Sequence, residues 1–143
     1  MLIRHKHHAT NRTYWVFPGG GIEDGETEEE CISREMKEET NLIVSVERLI
    51  LDEPEHPDEI YKWQKTYLCR PIEGIPKPGY EPEPEAAAEY SIVEVRWFDL
   101  RDEIDWGDKL LQDPITYPQL LRLREALGYG QRSWRFRYYV LVS

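Results

Sequence analysis

GGGIEDGETEEECISREMKEETNL, residues 19–42, is the stretch that decides the reading of this chain. Three consecutive glycines after Pro18 are its strongest loop signal. The spacing then predicts a helix over Thr27–Thr40. Thr27 followed by Glu30 is a capping-box pattern, in which the hydroxyl takes one orphan N–H and the carboxylate reaches back to another. Glu28, Glu29 and Glu30 fill the first turn, where the helix dipole favours acids. Ile32 and Met36 form an apolar stripe, and Asn41 suits a left-handed cap. Glu35, Glu38 and Glu39 stand at i, i+3 and i+4 on one helix face, with Glu28 close to it. Like charges so placed repel by a few tenths of a kcal/mol, roughly, per pair. A cation between them would remove that cost, and a donor set of hard oxygens suits Mg²⁺ or Mn²⁺ rather than zinc. Taken alone, such a run is more often a solvated acidic face than a site.

Outward from this stretch the pattern alternates between strands and loops. Met1–Ile3 is a short apolar start, His5–Thr13 reads as a loop, and Trp15–Phe17 as a strand. Leu42–Leu51, Ile60–Cys69 and Ile92–Phe98 read as strands. Glu53–Asp58 reads as a loop, and so does Pro71–Pro84, which carries five prolines and two glycines. Leu100–Ile104 suits a helical turn. Thr116–Leu127 suits a helix stopped by Gly128. Trp134–Val142 alternates as a strand would.

The 143 residues fit one domain over 1–143, with 128–143 as an extension. A net charge of −10 argues against a general nucleic-acid surface, because phosphates would be repelled. No apolar run of membrane-spanning length occurs, and the first residues lack a signal-peptide core. Two cysteines, Cys31 and Cys69, are too few for a disulfide framework. A cytoplasmic setting with reduced thiols is the expectation.

The longer spacing narrows the reading. Gly20, Glu26, Arg34-Glu35, Met36, Glu38-Glu39 and Leu42 stand at the intervals of the Nudix box, which this segment resembles. Asn41 stands where that pattern has glycine. Trp15–Gly21 and Val95–Phe98 resemble the segments flanking the family's site. The resemblance covers roughly residues 1 to 127. It implies an α/β fold, an α/β/α sandwich with a mixed β-sheet. The implied activity is Mg²⁺-dependent hydrolysis of a nucleoside diphosphate linked to a moiety X, with a small-molecule nucleotide or diphosphate as substrate. A nucleotide- or metabolite-binding module without turnover is the alternative.

In the implied site Glu35, Glu38 and Glu39 hold the metal and help activate water, and the Gly19 carbonyl is a further metal ligand. Arg34 holds the glutamates in place. Gly20, Gly21 and Arg4 face the substrate. A further acid from a downstream loop is sought among Glu85, Glu89 and Glu94, with Glu89 preferred. The resemblance also implies a strand ahead of Leu2-Ile3-Arg4, which this chain lacks. The run Trp134–Val142 is expected to fill its place, within the chain or by exchange in a homodimer.

Overall fold

A computed structural model of the chain describes residues 1–54 and 63–129, together with the backbone of Tyr139–Val142. Its strands are β1 (Leu2–His7), β2 (Thr13–Val16), β3 (Ile43–Pro54), β4 (Trp63–Glu73), β5 (Tyr90–Arg96) and β6 (Tyr139–Val142). Its helices are α1 (Glu28–Thr40), α2 (Pro84–Glu89), α3 (Gly107–Leu111) and α4 (Thr116–Ala126). The strands form two three-stranded sheets, ordered β2-β1-β5 and β3-β4-β6. A mixed sheet is the expectation from the resemblance, but every ladder among the described residues is antiparallel.

Side-chain alternation assigns the faces. Met1 and Val95 of the first sheet, with Val44, Tyr67 and Cys69 of the second, pack against Ile32 and Met36 of α1. On the opposite face Leu2 and Trp15 pack with Trp106, Leu110 and Leu120, and Leu68 packs with Leu123 of α4. The sheets therefore lie between α1 and the α3–α4 pair, as a sandwich requires. Ile32 and Met36 are each 1% exposed, and burying each is worth roughly 1.5–3 kcal/mol. That outweighs the repulsion along the acidic face, so the helix holds despite its charge.

Several elements differ from the sequence reading. β1 runs through His5 to His7, because its polar residues pair on both edges with β2 and β5. β4 continues past Pro71 to Glu73: the register shifts there, with Ile43 opposite Glu73 and Val44 opposite Pro71. Such an irregularity lets a strand carry a residue that has no N–H to give. β3 correspondingly extends to Pro54. The short helix α2 stands where loop is expected, and α3 lies in a stretch to which the sequence assigns no element. The start of the expected strand Ile60–Cys69, most of the loop Glu53–Asp58 and residues 134–138 of the expected tail strand lie outside the described residues. Of that tail, Tyr139–Val142 pair antiparallel with Thr66–Cys69 of β4 in the same chain.

Candidate active site

The predicted cap geometry of α1 is present. The Thr27 hydroxyl accepts from the Glu30 N–H at 3.2 Å, and the Glu30 carboxylate accepts from the Thr27 N–H at 2.9 Å. Asn41 ends the helix in the left-handed conformation, φ 62° and ψ 17°. Between these caps, Glu35 and Glu39 are turned inward, at 7% and 3% exposure, while Glu38 is half-buried. Glu28 begins the same helix, and Lys65 and the Tyr67 hydroxyl of β4 both donate to its carboxylate.

Arg34 is the hub of the cluster. Its Nε and Nη2 donate to the two oxygens of Glu26 at 2.8 and 2.9 Å, a bidentate pair. Its Nη1 donates to Glu35 at 2.8 Å and Glu38 at 3.4 Å, and Nη2 also reaches the Gly21 carbonyl at 3.2 Å. The hydrogen bond from Arg34 holds the Glu26 carboxyl down at about 2. Glu35 goes the other way: burial raises it, and Arg34 offsets only part of that. Burial raises Glu39 well above the usual carboxylate range, the Glu35 charge adds to the rise, and the Gly19 N–H works against it.

The glycine loop lies against these carboxylates. The Gly19 N–H donates to Glu39 Oε2 at 2.8 Å; the resemblance implies a role for the Gly19 carbonyl, whereas the contact made here is through the amide. A Cβ on Gly20 would stand 2.3 Å from Glu35 Oε1, so any larger residue there would displace the Glu35 carboxylate from its place. The Cys31 thiol faces the Gly21 and Gly20 carbonyls at 3.5 and 3.8 Å, and burial pushes it up to about 12. Cys31 is therefore a protonated strut under the loop and no nucleophile.

A second loop closes the far end of α1. The N–H groups of Lys77, Gly79 and Tyr80 donate to the carbonyls of Thr40, Glu39 and Glu38 at 3.1, 2.9 and 3.2 Å. The chain then delivers Glu81, half-buried, whose charge helps to raise both Glu35 and Glu39. Burial raises Glu81 itself, and the charges of Glu83 and Glu38 add to the rise. Sequence reasoning missed Glu81. It is one of several acids in a proline-rich run, and only the glycines at 74 and 79 hint that this run makes a close backbone approach.

The other expected residues lie apart from this cluster. Arg4 pairs with Glu94 at 2.8 Å and lies over the Trp15 ring, on the sheet face that packs under α3 and α4. Glu85 and Glu89 are exposed on α2. The Glu89 charge acts on Tyr14, reinforcing a rise that comes mainly from burial. His5, which the sequence places in a polar loop, is buried on β1, stacked on Tyr90 at 4.4 Å with its edge near Tyr14.

The carboxylates of Glu35 and Glu38 share one guanidinium with Glu26, Glu39 and Glu81 lie near them, and Glu35 and Glu39 are buried. An oxygen-rich, net negative pocket edge of this kind fits a hard divalent cation. Among the described residues no three acidic, histidine or cysteine side chains already converge as a finished cage. Arg34, bonded to both Glu35 and Glu38, occupies the oxygens an ion would share. No helix among the described residues is long and apolar enough to cross a membrane.

No curated protein matches the chain. The model of the NUDIX domain matches residues 1–120, a span that holds the glycine loop, α1 and the loop bearing Glu81. The chain belongs to the Nudix family.

Proposed function

We propose that the protein is a pyrophosphohydrolase that cleaves the diphosphate linkage of a nucleoside diphosphate derivative, with Mg²⁺ as its ion and Mn²⁺ as a substitute. The observation that carries this reading is the burial of Glu35 and Glu39 together, next to Glu38, against a glycine loop so close that a Cβ on Gly20 would displace Glu35. Two carboxylates raised mainly by burial, with the Glu35 charge adding to the rise at Glu39, are costly unless a cation joins them.

Glu35, Glu38 and Glu39 would hold the ion. When bound, it supplies charge for the diphosphate oxygens and acidity for water. The chain's own residues do the rest. Arg34 fixes the directions of Glu35 and Glu38, while its pairing with Glu26 keeps it from swinging away. The Gly19 N–H holds Glu39. A carboxylate already raised by burial is suited to take a proton from attacking water. Gly20 and Gly21 bring backbone close enough for a phosphate group to approach the carboxylates. Glu81 is the downstream acid whose charge reaches the box, and we assign it the role that the sequence alone gave to Glu89. Arg4 would meet substrate only after leaving Glu94.

The test is release of nucleotide or phosphate from a panel of nucleoside triphosphates, nucleotide sugars and dinucleoside polyphosphates, with and without Mg²⁺. Cleavage that needs Mg²⁺ and is lost in Glu38→Gln is the expected result. Running Glu81→Gln beside Glu89→Gln separates the two downstream acids, with the larger loss expected in Glu81→Gln. Tight Mg²⁺-dependent nucleotide binding without turnover would instead make the chain a binding module.

A further inference from the structure

We infer that Asn41 and the segment Gly74–Tyr80 form a clasp on the C-terminal end of α1 that seats Glu81 beside the box carboxylates, which makes Asn41 and Gly79 positioning residues for the metal site. The inference rests on the proposed role of Glu35, Glu38 and Glu39.

The last carbonyls of a helix have no partner within it. Here Tyr80, Gly79 and Lys77 supply N–H groups to Glu38, Glu39 and Thr40 in turn. Each step forward along the loop is a step back along the helix. The next residue, Glu81, therefore arrives beside the turn that carries Glu35 and Glu38. Its charge acts on Glu35 and Glu39, and that of Glu38 acts on it in return.

Two glycines make the approach possible. A Cβ on Gly79 would lie 1.6 Å from the Glu38 carbonyl oxygen, which no rotation of a side chain can relieve. Gly74, at φ +104°, would place a Cβ 2.3 Å from the Asn41 carbonyl. Asn41 closes the clasp with its side chain: Nδ2 donates to the Ile75 carbonyl at 3.1 Å, and Oδ1 accepts from Lys37 Nζ at 3.4 Å. The glycine of the box pattern could take the same left-handed backbone conformation but could not make the bridge to residue 75. The departure at Asn41 thus has a chemical consequence of its own.

Asn41→Gly is the clean variant, because glycine suits a positive φ and the helix end survives. It is compared, in the full chain, with Glu81→Gln, the double variant and Gly79→Ala. Mn²⁺ binding followed by electron paramagnetic resonance, with no substrate present, reads the site. Amide hydrogen exchange at Lys77, Gly79 and Tyr80 reads the clasp. Asn41→Gly is expected to speed exchange at those amides and to weaken Mn²⁺ binding by roughly tenfold, the scale of losing an outer partner of a metal site. In the Glu81→Gln background it should add nothing further, since the clasp acts through Glu81. Weakened Mn²⁺ binding in Asn41→Gly with exchange at those amides as slow as in the wild type would overturn the inference. So would unchanged Mn²⁺ affinity in Asn41→Gly, or an additive loss in the double variant. If the wild-type chain cleaves no panel member while these Mn²⁺ effects hold, the hydrolase reading fails and the clasp stands.

Discussion

Glu39 shows how one side chain can serve a site at the expense of the fold. It is 3% exposed, and its carboxylate accepts a hydrogen bond from the Gly19 amide. Burial and the neighbouring Glu35 charge both disfavour its ionised form. The sign follows: the native state holds that proton more tightly than the unfolded chain does, so this group's contribution is present below the ordinary value of 4.5 and is lost as pH rises from there through the raised folded value. Glu39→Gln keeps an acceptor for the Gly19 N–H and removes the charge. In chelator at neutral pH it should melt above the wild type, by roughly 2–4 °C for each kcal/mol relieved. Added Mg²⁺ should raise the wild type and leave the variant in place. A lower melting temperature for the variant in chelator would show that the buried charge is already compensated.

The pairing of the glycine loop with α1 is a property of two elements together. Arg34 bonds to Glu26 and the Gly21 carbonyl on the loop side and to Glu35 and Glu38 on the helix side. Cys31 faces the same loop from below. Gly20→Ala tests how tight this apposition is. Its methyl would meet the end of a flexible carboxylate rather than backbone, so Glu35 can swing aside and the melting temperature should move little. The displaced carboxylate leaves its place in the site, and misplacement of about 1 Å can cost about 100-fold in rate. Retention of full turnover, measured on whichever panel member is cleaved, would show that Glu35 is not needed where it stands.

Across the molecule as a whole, His5 couples the first sheet to pH. It lies between Tyr14 and Tyr90, its Nε2 has no hydrogen-bond partner among the described residues, and burial lowers it to about 4. The folded value lies below the ordinary one of 6.5, so the unfolded chain binds the proton more readily. Stability from this group is present above about pH 6.5 and is lost as pH falls toward 4. At 1.36 kcal/mol per unit the loss is about 3 kcal/mol. Denaturant titrations of wild type and His5→Phe across this window should diverge in slope, with the variant the flatter. Parallel curves would mean that the ring is hydrated in the folded state.

Much of this was legible in the primary structure because it depends on neighbours close along the chain. The capping box, the αL residue and the i, i+3, i+4 carboxylates involve residues a few positions apart, where helix geometry alone places them. The same local rules do not give the partners of Glu28, since helix periodicity says nothing of Lys65 and Tyr67 on β4. They read His5–Thr13 as loop because hydropathy does not report two strands ready to pair on both sides. They do not single out Glu81, because an acid in a long proline-rich loop has no address until the loop docks. That docking joins residues 74–80 to 38–41 through backbone groups, which carry no side-chain signature. Contacts between distant segments through the main chain are common to every residue type, and so they become visible only when the chain is folded.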